Sequence, residues 1–174
     1  YLVPMYQRNY AWGEGEITQL LQDVLDYQQK LVSGKGPQTY YIGTLVVFAR
    51  DDGSFEVIDG QQRFTTLSLL ANWLKHHAID SVDMSWYQTI NLAFESRPIS
   101  SHTFERLWQG VAPYDLRGST FNEGLVNGFE LIDKAMADLG LVGAKLTAFC
   151  DYLFKHVQIS RIEVPKDTDL NHFF

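Results

Sequence analysis

Several features that would assign this chain to a large protein class are absent or scarce. There is a single cysteine, Cys150, so no internal disulfide can form, which fits a reducing cytosol and a cytoplasmic protein. The apolar runs are too short for a membrane-spanning helix, which needs about 20 residues. No secretion signal is visible. Cysteine and histidine do not recur with zinc-ligand spacing.

Positive charge is also scarce. Lys and Arg number 14 against 21 Asp and Glu, which gives a net charge of −7. Non-specific DNA affinity depends on Lys and Arg that displace counterions, so a general DNA-binding surface is not expected. Arg97 and Arg106 are interpreted as solvated rather than as DNA contacts. The chain starts at Tyr1 without methionine and stops in an apolar run, so we expect a fragment of a longer protein.

What is present is a globular composition, with 45% hydrophobic and 20% charged residues. Hydrophobic periodicity and turn residues predict an α+β fold, in which a small mixed β-sheet with helices precedes a mainly helical subdomain. A capping box of Thr120 and Glu123 is expected to open one helix. The predicted helices are 17–32, 64–77, 85–95, 102–110, 120–139 and 144–154, and the predicted strands are 41–48, 55–58 and 157–164.

The segment Asp59-Gly60-Gln61-Gln62-Arg63 lies between a predicted buried strand and a predicted helix. The first N–H groups of a helix lack internal partners and the helix dipole is positive there, so this turn suits an anion. Gly60 permits a positive φ, and Arg63 adds a planar cationic fork for phosphate. Asp59 is a candidate ligand for Mg²⁺ or for a water, and the glutamines are candidates for positioning a water.

The same residues also fit a structural role. Asp59 followed three residues later by Gln62 matches an N-cap with its reciprocal partner, and the local sequence does not choose between the two readings. A second cluster, Gln7-Arg8-Asn9-Tyr10-Ala11-Trp12, also allows both a functional and a structural interpretation. Arg8 is a candidate phosphate ligand, and Tyr10 and Trp12 offer flat faces for a base, but both aromatics also fit a hydrophobic core.

Taken together, these blocks resemble one family. Val3-Pro4-x-Tyr6-Gln7-Arg8-x-Tyr10-x-Trp12, Tyr41-Ile42-Gly43-Thr44-Leu45 and Val57-Ile58-Asp59-Gly60-Gln61-Gln62-Arg63-x-Thr65-Thr66-Leu67 occur in this order. They are similar to the amino-terminal domain of GmrSD-type, modification-dependent (type IV) restriction proteins, whose fold resembles ParB and sulfiredoxin. The resemblance covers roughly the first eighty residues well. It divides the chain into a nucleotide-binding core (1–80), a helical subdomain (81–156) and a returning strand that enters a missing region (157–174).

The resemblance implies a nucleoside triphosphate as ligand and Mg²⁺ as cofactor. Nucleotide turnover would regulate a carboxy-terminal HNH nuclease module that cuts modified foreign DNA in phage defence. Residue by residue, the catalytic group is implied to be Asp59, Gln61, Gln62 and Arg63, with Asp59 also the Mg²⁺ ligand. Phosphate binding is assigned to Gln7, Arg8, Gly60, Arg63, Thr65 and Thr66.

Departures from related families narrow these expectations. Sulfiredoxin has its catalytic cysteine at the position of Gln62, so its chemistry is excluded here. ParB has paired arginines where this chain has Gln62 and Arg63, so its nucleotide preference does not transfer. No His-Asn-His pattern occurs, so these residues should not cut DNA by that chemistry.

Three functions are therefore compared, in order of preference. The first is a Mg²⁺-dependent nucleotide hydrolase domain that gates a nuclease. The second is a module that reads a DNA modification at the same turn without hydrolysis, against which the net charge of −7 argues mildly. The third is an interaction scaffold whose helical half docks a partner or a second copy. The sequence leaves open whether the protein forms a homo-oligomer.

Overall fold

A computed structural model of the chain describes residues 1–78 and 80–167, which form one mixed β-sheet and five α-helices. The α+β class is therefore confirmed. The strands are β1 (Leu2–Val3), β2 (Tyr40–Ala49), β3 (Phe55–Asp59), β4 (Ala93–Phe94) and β5 (Val157–Glu163). The helices are α1 (Glu14–Val32), α2 (Gln61–His77), α3 (Pro98–Gln109), α4 (Glu123–Asp138) and α5 (Gly143–His156).

The sheet has the strand order β4-β1-β3-β2-β5. β2 and β3 form an antiparallel hairpin around Gly53, whose φ of +86° favours glycine at the tip. β1 lies parallel to both β3 and β4, with Leu2 opposite Glu56 and Ala93. β5 runs parallel to β2 along its whole length, so the predicted returning strand joins the first sheet. The amino-terminal residues are thus inserted within the sheet rather than attached to its edge.

The helices pack together around α2. α1 buries Ile17, Leu20, Leu21 and Val24 at helical spacing, as the periodicity predicts. α2 is buried on most sides and packs against α3 and α4. One hydrophobic core joins side chains from both sides of the boundary predicted near residue 80. The division into a core and a helical subdomain stays a prediction.

Two predictions about local structure are wrong. Residues 85–95 do not form a helix, because backbone pairing of Ala93 and Phe94 with β1 replaces helical hydrogen bonds at the end of this segment. The residue that caps α4 is Asn122 rather than Thr120. The side-chain oxygen of Asn122 accepts a hydrogen bond from the N–H of Leu125 at 3.1 Å, and α4 begins at the next residue, Glu123.

None of the helices among the described residues is both long and apolar enough to cross a bilayer. The predicted entry to a following region, residues 167–174, lies outside the described residues apart from Asp167, as does the end of the segment 157–174.

Candidate functional site

The turn between β3 and α2 requires glycine at position 60. Gly60 has a φ of +88°, a conformation that residues with a side chain rarely adopt. A Cβ at this position would also lie only 2.5 Å from the backbone oxygen of Thr44 in the neighbouring strand. The strand therefore ends and the helix begins within one residue, which brings Asp59 and Arg63 to the same edge of the sheet.

The start of α2 has no side-chain cap. The Asp59 carboxylate accepts a hydrogen bond from the N–H of Gly60 at 2.9 Å, and the side chain of Gln62 points to other partners. The predicted N-cap pair of Asp59 and Gln62 is therefore wrong. The first turn carries no acidic residue and does carry Arg63, so the positive end of the helix dipole lacks a compensating charge there. This arrangement favours a bound anion.

Gly43 of β2 leaves room for the guanidinium of Arg63. A Cβ at Gly43 would lie 2.3 Å from Nη1 and 3.0 Å from Cζ of Arg63, so the side chain lies directly over the bare backbone of the strand. Within residues 1–78 and 80–167, no carboxylate is in ion-pair distance of Arg63 or of Arg8. Both cations thus keep their charge available for a ligand.

Residues 5–12, here called the arm, cover this turn and are held by three glutamines. Gln7 Nε2 donates to the oxygens of Val57 (3.3 Å) and Ile58 (2.7 Å) in β3. Gln61 Nε2 donates to the oxygen of Arg8 at 3.1 Å.

Gln62 holds the arm at two points. Its Nε2 donates to the oxygen of Asn9 at 3.0 Å, and its Oε1 accepts from the N–H of Ala11 at 2.8 Å. Both ends of this amide are therefore committed to backbone. The geometry supports a role for Gln62 in holding the arm and not the predicted role in positioning a water.

Tyr10 is a core residue and offers no face to a base. It is only 4% exposed, and its hydroxyl lies 2.7 Å from Oγ1 of Thr66. Gly128 of α4 permits this position, because a Cβ there would lie 2.6 Å from the Tyr10 ring. Burial raises the pKa of Tyr10 to about 12. The predicted stacking role of Tyr10 is therefore wrong.

Thr65 and Thr66 lie behind the turn and are fully buried. The Thr66 hydroxyl donates to the oxygen of Gln62 at 2.9 Å, a bond to the preceding helical turn. The predicted direct contact of these two threonines with phosphate does not fit their burial. Thr66 instead links the arm to α2 through Tyr10.

The other predicted site residues line one cleft of about 240 Å³. The oxygen of the Gln61 amide is buried at its wall and has no hydrogen-bond partner among the described residues. Trp12 is half-buried and supplies the aromatic side of the cleft. The lining residues are Gln7, Arg8, Trp12, Asp59, Gly60, Gln61, Gln62 and Arg63.

Among the described residues, Asp59 is the one carboxylate that lines the cleft, and it is exposed. The described residues contain no group of three or more His, Cys, Asp or Glu side chains that would enclose a metal ion. Mg²⁺ is commonly held by one or two carboxylates together with substrate phosphates and waters. The donor set therefore fits Mg²⁺ that arrives with a phosphate ligand, and it does not fit a metal bound by protein alone.

Sequence reasoning missed a group of residues that supports the arm. Arg97, interpreted as solvated, donates to the backbone oxygens of Met5 and Gln7. Arg50 pairs with Glu95 at 2.6 Å and with Glu56 at 3.4 Å. Apart from the Arg50–Glu56 pair, these contacts join positions 45 to 92 residues apart, so no local pattern indicates them.

Residues 1–174 match the family described as the GmrSD restriction endonuclease, N-terminal domain. No curated protein matches the chain.

Proposed function

Because the chain belongs to the family of GmrSD restriction endonuclease N-terminal domains, and is thus a domain of a restriction protein, we propose that its cleft binds and hydrolyses a nucleoside triphosphate. Turnover would control a nuclease module elsewhere in the same protein, which acts on modified foreign DNA. The observation that carries the proposal is the meeting of Arg8, Arg63 and the uncapped start of α2 around one cleft.

Phosphate is the chemistry that this arrangement favours. The free N–H groups of the first turn of α2 and the guanidinium groups of Arg8 and Arg63 are all donors without acceptor capacity. Arg63 is braced against Gly43 in β2, so its fork is placed before a ligand arrives. A triphosphate carries enough charge to engage both arginines and the helix start at once.

The size of the cleft indicates which end of a nucleotide it holds. Its volume of about 240 Å³ lies below the ~300–1,000 Å³ of pockets that enclose a drug-sized ligand. We therefore place the phosphates inside the cleft and the nucleoside towards its open side. Trp12 is the aromatic residue that lines the cleft, and a base stacked on an aromatic face gains about 1–3 kcal/mol.

Asp59 is the residue to which we assign the chemical step. Its exposed carboxylate stands at the end of β3, beside the donors that would hold the phosphates. One oxygen is fixed by the N–H of Gly60, which leaves the other to accept a proton from a water or to bind Mg²⁺. When bound, Mg²⁺ would neutralise charge on the phosphate oxygens. Arg63 would stabilise negative charge that develops during transfer.

The proposal is tested on the intact protein with each of the four ribonucleoside triphosphates and Mg²⁺. We expect Asp59→Ala to abolish turnover while binding persists. We expect Arg63→Ala to weaken binding about 10- to 150-fold, the equivalent of one charge-assisted hydrogen bond of about 1.5–3 kcal/mol. Asp115→Ala, an exposed carboxylate outside the cleft, should change neither.

Unchanged turnover in Asp59→Ala would refute the assigned step. Absence of nucleotide binding by the wild-type protein, together with Arg63-dependent binding of phosphorothioate or base-modified DNA, would favour the reading module instead.

A further inference from the structure

Arg97 reaches from the start of α3 to the arm. Its side chain is half-buried, and Nη2 donates to the backbone oxygen of Gln7 and, at 3.2 Å, to that of Met5. Gln7 and the following Arg8 both line the cleft. The contact joins residues 90 positions apart and connects the helical half of the molecule to the phosphate site.

Glu95 holds the same part of the arm from the other side of the turn. Its Oε1 accepts from the N–H of Met5 at 3.4 Å, and its Oε2 pairs with Arg50 at 2.6 Å. Arg50 also pairs with the buried Glu56, which accepts a hydrogen bond from the Tyr6 hydroxyl at 2.8 Å. Two side chains of one short turn thus hold the backbone of the arm.

The residue between them has a strained backbone. Ser96 has a φ of +56°, and among residues 1–78 and 80–167 it is the one non-glycine residue with a positive φ. Such a conformation costs on the order of 1–3 kcal/mol and persists where surrounding contacts impose it. The two residues that flank Ser96, Glu95 and Arg97, are the ones that hold the arm, so their contacts help to impose this conformation.

We propose that the turn Glu95–Arg97 is a clamp that positions the arm for nucleotide binding, with Arg97 as a positioning residue. The clamp rests on the proposed function of the cleft and adds a route by which that cleft and α3 influence each other. Within the described residues the side-chain hydrogen bonds of Arg97 go to the backbone of the arm, so it acts by fixing where Gln7 and Arg8 stand. Because such coupling is reciprocal, nucleotide binding would in turn stabilise the start of α3.

Hydrogen exchange on the intact protein without nucleotide tests the clamp itself. In Arg97→Ala we expect faster exchange of the amides of residues 5–12, while α4 and α5 keep their wild-type protection. Arg106→Ala is the matched control, since this α3 arginine is exposed and contacts Gln109 of its own helix. Unchanged exchange of the arm in Arg97→Ala would overturn the clamp, whatever the nucleotide result.

A double-mutant cycle on nucleotide affinity tests the positioning role. The probe is whichever of the four ribonucleoside triphosphates binds the wild-type protein most tightly. We expect Arg97→Ala to weaken binding about tenfold in the wild-type background, and about twofold or less when Arg8 is already alanine. A loss of the same size in both backgrounds would show that Arg97 does not act by positioning Arg8, and would overturn that role. If the wild type binds no nucleotide, the proposed function fails while the exchange result still decides whether the clamp exists.

Discussion

Replacing Gly43 with alanine probes how Arg63 is held. The added Cβ would lie 2.3 Å from Nη1 of Arg63, whereas ordinary contact begins near 3.4 Å. The guanidinium must therefore retreat by about 1.1 Å, the difference between those two distances. A phosphate hydrogen bond of about 2.9 Å would lengthen to about 4.0 Å, beyond the range in which it forms.

The expected loss of affinity follows from that displacement. One charge-assisted hydrogen bond contributes about 1.5–3 kcal/mol, so Gly43→Ala should weaken nucleotide binding about 10- to 150-fold. The φ of +147° at Gly43 adds a separate cost in stability of about 1–3 kcal/mol. That cost affects the free and the bound protein alike, so it lowers the melting temperature without changing the affinity of the folded protein.

Calorimetric titration of the intact protein with the preferred nucleotide and Mg²⁺ measures this loss. The matched comparison is Gly43→Ala in an Arg63→Ala background, where no guanidinium remains to be displaced. We expect the affinity loss to vanish there while the fall in melting temperature persists. Wild-type affinity in a folded Gly43→Ala single variant would refute the reasoning, as would an equal loss in both backgrounds.

Two predictions concern stability. Gly60→Ala gives a residue with positive φ a Cβ that lies 2.5 Å from the backbone oxygen of Thr44. We expect a loss of about 2 kcal/mol in the free energy of unfolding, which lowers the melting temperature by about 4–8 °C. Gly15→Ala is the control, because its Cβ has open space and should not destabilise the protein. Burial raises the pKa of Cys150, ordinarily near 9, to about 12, and that of Tyr10 also to about 12. The unfolded state releases these protons at a lower pH than the folded state does. The free energy of unfolding, measured with denaturant, should therefore be constant below pH 9 and fall as the pH rises towards 12. Cys150→Ala should flatten the fall, and an unchanged pH profile in that variant would contradict the assignment.

The elements that periodicity and turn residues specify locally could be predicted from the sequence. α1 has an apolar stripe at helical spacing, and β2 and β3 flank a glycine turn. The residues of each element therefore predict its secondary structure without reference to the rest of the fold. The local sequence of β4 does not predict a strand, because Ala93 and Phe94 are strand residues only through pairing with β1. Tertiary pairing overrides the helical pattern of that segment.

In the candidate site, too, some features follow from the local sequence and others depend on contacts between distant parts of the chain. Asp59 to Arg63 are adjacent in the chain, so their grouping at a helix start was accessible from sequence. The burial of Tyr10 and Thr66 depends on α4 approaching through Gly128, more than 60 residues from Thr66, and no local pattern reports it. The two ends of the Gln62 amide are taken by backbone atoms over 50 residues away, which likewise only the fold reveals.

The insertion of β1 between β3 and β4 has a consequence for biosynthesis. The residues that carry Gln7 and Arg8 leave the ribosome first, yet β1 gains its second neighbour only when Ala93 and Phe94 have been made. A nascent chain shorter than this exposes an unpaired strand edge and holds a cleft whose arm is not yet anchored by Arg97. The cleft therefore reaches its final form only after the chain has been made through Arg97, so its two sides are completed by residues made at different times.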